Sequence, residues 1–318
     1  MDFGLHLGPR GAAGHPDGLR TLAQHSEKLG LAYLGISDHL VFARQASSRY
    51  PYSESGQHPV GSAGYCLDQL TCLAFAAAVT SKIRLLTSVM VVPHRPVMQT
   101  AKMLTSVDVL SKGRVTVGAG VGWLAEEMAL LGSPPYDKRG TASNEFIEAF
   151  RTLWREENPA YDGTFVKFKD VIFTPKPVQK PGLPIWIGGE GKAARRRAGR
   201  LGDGWYPTIR NPTDPLDDPK VFATYLDDVR KECAAAGRDP SKLDVAMFAP
   251  GLSLGKEVKG KDGRRINFSG SKEQIAADAR AYFEIGVKHI MIGFETDEVQ
   301  DAMDRVEAFA RDVIPLTR

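Results

Sequence analysis

Short apolar runs alternate with amphipathic stretches along nearly the whole chain. Phe3 to Leu7 has a strand pattern, and Asp17 to Leu29 follows with Leu19, Leu22, Ala23 and Leu29 on one helical side. Gly30 suits the left-handed position that ends a helix, and the next run, Tyr33 to Ile36, stops abruptly at Asp38 and His39. Leu67–Thr80 reads as helix and Ile83–Val92 as strand, closed by Pro93. Pro96–Leu110 is a helix that proline can begin, and Arg114–Gly122 is a strand dissolving into glycines. From about Lys138 to Glu156, Phe146, Phe150, Leu153 and Trp154 form a core-facing stripe. Leu183–Gly189, Gly204–Pro207, Leu243–Phe248 and His289–Gly293 supply four more strands. Helical patterns follow each of them: Lys192–Leu201, Phe222–Ala236, a segment capped by Ser271 and running to Ile285, and Val299–Val313.

Eight strand–helix units predict an α/β fold, a closed (β/α)8 TIM barrel occupying residues 1–318 as one domain. An open doubly wound sheet is the alternative. Its dinucleotide fingerprint is missing, since Gly8-Pro-Arg-Gly11 does not fit it. Three stretches break the alternation. Residues 42–66 are non-periodic and rich in Ser, Gly, Pro and Tyr, and read as a long ligand-side loop; residues 252–270 are polar, glycine-rich and basic, and read as a second ligand-side insertion or a disordered loop; the two would set the substrate. Residues 161–181 read as a small hairpin and a proline-rich linker.

Composition narrows the classes. A net charge of +3, with basic residues spread along the chain, gives no nucleic-acid footprint. No apolar run approaches the roughly 18–20 residues of a membrane span, and the first residues lack a signal peptide's basic start. Cys66, Cys72 and Cys233 fit neither a metal spacing nor a disulfide framework, so a cytoplasmic location is expected. The scattered histidines show no paired spacing, which disfavours a metal-dependent barrel hydrolase.

Asp38 and His39 are the leading candidates for chemistry. The carboxyl ends of parallel strands are where such folds hand side chains to a ligand crevice. Histidine exchanges a proton near neutral pH, although adjacent strand residues face opposite ways and need not touch. A histidine bonded within its own loop is the competing reading. Gly118-Ala-Gly-Val-Gly122 and Gly188-Gly189 would let backbone N–H groups approach a phosphate, or serve only tight turns. Arg195–Arg197 and Arg200 read as a solvated helix face. Trp186 reads as core, whereas Trp123 and Trp205 either line the mouth or pack structurally.

Several segments, taken in order, resemble the luciferase-like monooxygenase superfamily, in particular its deazaflavin (coenzyme F420)-dependent branch. They are Ser37-Asp-His-Leu40, Ile83–Val89, Gly113–Trp123 with Glu126-Glu127, Pro184–Gly189 and Leu201–Trp205. The resemblance implies an oxidoreductase that holds reduced F420 or FMN at the carboxyl ends of the strands, and it tips the choice slightly toward F420. It implies Asp38 and His39 beside the reactive ring and a non-prolyl cis peptide at Ser88-Val89. It further implies Gly188 and Gly189 at the cofactor phosphate, and Gly120 and Gly122 near the cofactor's side chain. One departure stands out: where some relatives carry a catalytic glutamate after the strand-four glycines, this chain has Trp123. The alternatives are an FMN-dependent monooxygenase fed by a separate flavin reductase, and a non-catalytic flavin-binding barrel. A homodimer is the family expectation, with a flavin or F420 reductase as a possible partner.

Overall fold

The computed structural model describes residues 1–58 and 64–318, so part of the first insertion lies outside the described residues. Its elements begin β1 (Asp2–Leu7), α1 (Pro16–Lys28), β2 (Tyr33–Ile36), α2 (Gln69–Val79), β3 (Arg84–Val91) and α3 (Val97–Leu110). They continue with β4 (Val115–Gly120), α4 (Ala125–Leu130), α5 (Arg139–Arg155), β5 (Tyr161–Asp162) and β6 (Lys167–Phe168). Next come β7 (Ile185–Gly188), α6 (Lys192–Leu201), β8 (Gly204–Tyr206), α7 (Pro219–Ala235) and β9 (Asp244–Pro250). The chain finishes with β10 (Ser253–Leu254), β11 (Ser269–Gly270), α8 (Lys272–Glu284), β12 (His289–Gly293) and α9 (Val299–Asp312).

The order β1-β12-β9-β8-β7-β4-β3-β2 closes into a parallel barrel, as the strand–helix alternation predicts. Local chemistry sets the boundaries. Pro16 and the His15 side chain begin α1, and Gly30, at φ +79°, turns the chain into β2. A Ser271–Gln274 capping box starts α8.

Two apolar layers form the core. Outside the strands, helix stripes pack on residues such as Phe3, whose ring meets Phe283 and Phe309 edge-on at 5.5 and 5.2 Å. Inside the barrel, Tyr33, Leu86, Trp186, Tyr206, Ala246 and Met291 form a separate buried cluster, with Val89 and Phe248 packed above it. The barrel is therefore plugged below its mouth. Trp205 is fully buried as well, against Phe222, so it does not line the mouth.

The structure departs from the sequence expectation in three places. β2 ends at Ile36, and Asp38 and His39 lie in the coil beyond it. A short helix, α4, follows β4; six residues are too few to show a periodicity. The 252–270 insertion is built rather than loose: β10 pairs with β11, Phe268 is buried, and Arg265 forms an ion pair with Asp278 of α8. Lys261 of this insertion also reaches Glu54 of the first insertion, bridging the two over the barrel. Among the described residues, no helix is long and apolar enough to cross a membrane.

Candidate active site

β3 shapes the floor of the mouth. Its register against β4 shifts between Thr87 and Met90, and the Ser88–Val89 peptide there is cis, as the family resemblance implies. The bulge sends Val89 inward. A Cβ on Gly120 would come within 2.8 Å of the Val89 side chain, and one on Gly188 within 3.1 Å. A Cβ on Gly118 would collide with the Thr87 carbonyl. Packing around the bulge thus accounts for these three glycines without any ligand. Beside Val89, Ser88 Oγ lies 2.8 Å from both His6 Nδ1 and the Tyr206 hydroxyl.

The wall above is built by two adjacent acids of α4. Glu127, with no exposed surface, accepts hydrogen bonds from the Leu40 and Val41 amides (2.7 and 3.2 Å) and lies 2.7 Å from His39 Nδ1. Burial works against its charge, yet the His39 hydrogen bond, the nearby imidazoles of His39 and His94, and the Leu40 amide outweigh it and hold the carboxyl below its ordinary value. An ionised carboxylate only accepts, so His39 donates Nδ1–H and leaves Nε2 to act as base or, once protonated, as acid. Glu126 Oε1 accepts from the Ser47 amide (2.6 Å), the Ser47 hydroxyl (2.8 Å) and the Ser48 amide (3.2 Å). Hydrogen bonds from Ser48 and Ser47 hold that carboxyl at about 2. The α4 acids therefore fix the loop that carries His39.

An aromatic cover closes over His39. Phe42 and His58 lie 4.6 and 4.8 Å from its ring, and His58 stacks on Trp123 at 5.6 Å. Tyr50 packs edge-on against both His58 and Trp123. Burial, helped by His39 and Arg10, pushes the His58 imidazole down to about 3.

Asp38 faces elsewhere. Its carboxylate takes a two-point ion pair from Arg95 (2.8 and 2.9 Å) and a hydrogen bond from the Val91 amide. Arg95 also binds Asp68, the N-cap of α2, at 2.7 Å. Burial opposes the Arg95 charge, but the two carboxylates outweigh it and raise its pKa. With 4% exposure and its oxygens engaged by Arg95 and Val91, Asp38 ties the loop after β2 to β3 and α2 rather than facing a ligand.

Gly189, at φ +100°, turns the chain from β7 toward α6, whose N-cap is Gly191 and carries no side-chain cap. The Ala194 N–H already bonds the Gly191 carbonyl at 2.9 Å, which leaves the N–H groups of Lys192 and Ala193 to an anion. Arg195 donates to the Glu190 carbonyl at 2.7 Å and stacks on Tyr225, Arg197 binds Asn144, and Arg200 pairs with Glu232. These arginines hold α6 to its neighbours. Glu190 is buried and holds the Thr208 amide and Asn211 at 2.8 and 2.7 Å, and burial raises its pKa. Gly122 abuts Val91 and lies near His94, whose buried ring nitrogens have no hydrogen-bond partner among the described residues.

Sequence reading singled out His39 and the glycines but passed over His6, Tyr206 and the role of Glu127. Glu127 stands 88 positions from His39, a separation that no local pattern connects.

The profile of the luciferase-like monooxygenase family matches residues 1–252. An uncharacterised protein of Mycobacterium tuberculosis is 35% identical over 290 residues, spanning 89% of this chain and 96% of its own. The FMNH2-dependent dimethylsulfone monooxygenase of Pseudomonas putida is 28% identical over 346 residues, spanning 94% of this chain and 87% of its own. The coenzyme F420-dependent tetrahydromethanopterin reductase of Methanopyrus kandleri shares the fold. Its TM-score is 0.76 at 18% identity, over 100% of this chain and 99% of that one.

Proposed function

Because the chain belongs to the luciferase-like monooxygenase family and is an enzyme of that oxidoreductase type, we propose that it works on a small organic substrate with reduced coenzyme F420 or FMN, and that His39 handles the proton. The observation that carries this reading is the His39–Glu127 pair at the carboxyl end of the barrel, under an aromatic cover. The residues fit a flavin-type group. The uncapped start of α6 after Gly188 and Gly189 offers N–H groups to a phosphate, and Val89 presents an apolar bulge to a flat ring. When bound, such a cofactor supplies a hydride or, as reduced FMN, the electrons that activate oxygen.

The protein's own contribution is proton control and exclusion of water. Glu127 fixes His39 as the Nδ1–H tautomer and stabilises the imidazolium when Nε2 takes up a proton. Phe42, Tyr50, His58 and Trp123 cover that ring, so the proton passes to the substrate rather than to bulk solvent. Asp38 and Arg95 hold the loop rigidly against β3. We assign Asp38 a positioning role. The two insertions joined by Lys261 and Glu54 would select the substrate.

The Pseudomonas putida relative, named for FMNH2, favours a second reading: a monooxygenase that receives reduced FMN from a separate reductase. Titrating the purified protein with FMN and with F420, each oxidised and reduced, separates the two. Tight F420 binding with weak FMN binding assigns hydride transfer, and preference for reduced FMN assigns oxygen activation. Binding of neither overturns the cofactor assignment. Sedimentation of the same sample tests the family expectation of a homodimer.

A further inference from the structure

His6 ends an unbroken hydrogen-bonded chain at the barrel floor: Tyr206 hydroxyl, Ser88 Oγ, His6 Nδ1, each step 2.8 Å. Gly4 and His6 of β1 both point inward. Gly4 abuts Met291 and Tyr33, and the His6 ring lies 4.3 Å from Phe248. His6, Val89 and Phe248 are only partly buried, whereas Tyr206 and Ser88 beneath them are buried. The three therefore form the surface on which a ligand in the mouth would rest.

Counting protons fixes the direction of the chain. The Tyr206 hydroxyl has Ser88 Oγ as its hydrogen-bond partner among the described residues. If His6 donated to Ser88, either Ser88 would donate to Tyr206 and strand the buried phenolic proton, or Ser88 would accept from both and strand its own; each costs about 1–3 kcal/mol. Running the other way, Tyr206 donates to Ser88 and Ser88 donates to His6 Nδ1, so both buried hydroxyl protons are used and the unaccepted proton moves to the partly exposed His6 ring. His6 Nδ1 is then an acceptor, and the proton of the neutral ring sits on Nε2. That N–H has no protein acceptor among the described residues.

We propose that Tyr206 and Ser88 hold His6 as its Nε2–H tautomer, and that this N–H is a neutral hydrogen-bond donor to an oxygen acceptor on the ligand bound at the mouth. The inference rests on the proposed function for the site's occupancy but not for the tautomer. Burial, helped by the Arg10 charge, pushes the His6 imidazole down to about 3, so the donor would not change with pH in the neutral range. The acceptor could be a ring carbonyl of the cofactor or a carbonyl of the substrate.

The test uses full-length protein labelled with 15N-histidine and long-range proton–nitrogen correlation, with His6→Phe identifying the His6 signals. The expected result is the Nε2–H pattern, unchanged between about pH 5 and 8, and a mixed tautomer in Ser88→Ala. An Nδ1–H pattern, or titration near the ordinary histidine value, overturns the proposal. FMN and F420 are then added, followed by acetone as a ketone probe on the loaded protein. If the cofactor moves the His6 Nε2 signal and His6→Phe weakens its binding about fivefold to tenfold, the acceptor is on the ring. If only acetone moves the signal, the acceptor is on the substrate. Cofactor binding confirmed by fluorescence with a motionless His6 signal in both arms overturns the donor role. Failure of every cofactor to bind defeats the proposed function, and the tautomer is still read from the free protein.

Discussion

Replacing Glu127 by Gln isolates the charge behind His39 while keeping the shape. In the native site the buried carboxylate accepts from the Leu40 and Val41 amides through Oε1 and faces His39 Nδ1 through Oε2. A glutamine can keep Oε1 on the two amides. Its NH2 group then faces Nδ1, so His39 must shift its proton to Nε2 to preserve the contact. Folding loses only the difference between a charge-assisted and a neutral hydrogen bond, about 1 kcal/mol. The proton-transfer step loses more. An imidazolium and a carboxylate with charge centres about 4 Å apart attract by roughly 4 kcal/mol at an effective dielectric of about 20, so without the charge the imidazolium available to give its proton to the substrate falls by up to about a thousandfold. The assay is single-turnover oxidation of the bound reduced cofactor by substrate, read by absorbance, beside urea unfolding and 15N-histidine spectra of the free protein. The expected result is a rate lowered by up to about a thousandfold, little change in stability, and His39 switched from Nδ1–H to Nε2–H. A Glu127→Gln enzyme within about tenfold of wild type, with its His39 tautomer unchanged, would refute the reasoning.

Other expectations follow from the same geometry. Asp38→Ala takes away the two-point partner of Arg95, leaving it Asp68 alone, and leaves the Val91 amide without its acceptor, so unfolding should show a loss of about 3 kcal/mol, the low end for a broken buried pair; a stability near wild type would mean the ion pair is not what holds this loop. Gly120→Ala should destabilise by about 1–3 kcal/mol and be relieved by Val89→Ala, because the Cβ meets only that side chain closely. Gly118→Ala meets the Thr87 backbone carbonyl instead, so the same second change should not rescue it. For His6, burial lowers the folded imidazole to about 3, against about 6.5 in the unfolded chain. Below about 6.5 the unfolded state takes up a proton that the folded state refuses until about 3. Stability then falls by up to about 1.4 kcal/mol per pH unit, less for the part of the ring that solvent reaches. His6→Phe should flatten that acid limb in denaturation curves, and an unchanged slope would show that His6 is not held neutral.

The barrel was legible in the chain because each strand and helix writes its own periodicity locally, and the expected strand order needed only that alternation. What lay beyond local pattern was the set of contacts between elements. Asp38 and His39 look alike in sequence as polar residues after an apolar run, yet Arg95 captures one and Glu127 the other. Glu126-Glu127 stood in view after the strand-four glycines, but their helix is too short to announce itself. Only the fold reveals that they reach back to residues 40–48. The glycines at 118, 120 and 188 suggested a phosphate cradle, whereas much of their need is the inward Val89 on a neighbouring strand. The 252–270 segment read as loose because its order comes from a distant partner, Asp278.

The central claim is that a reduced flavin-type cofactor works beside His39. The most direct measurement compares wild type with His39→Ala, using equilibrium binding of reduced FMN and reduced F420 together with single-turnover oxidation of whichever binds. The account predicts that the variant keeps the cofactor affinity and loses the substrate-dependent oxidation. A variant that turns over like wild type, or a wild type that binds neither cofactor, would contradict it.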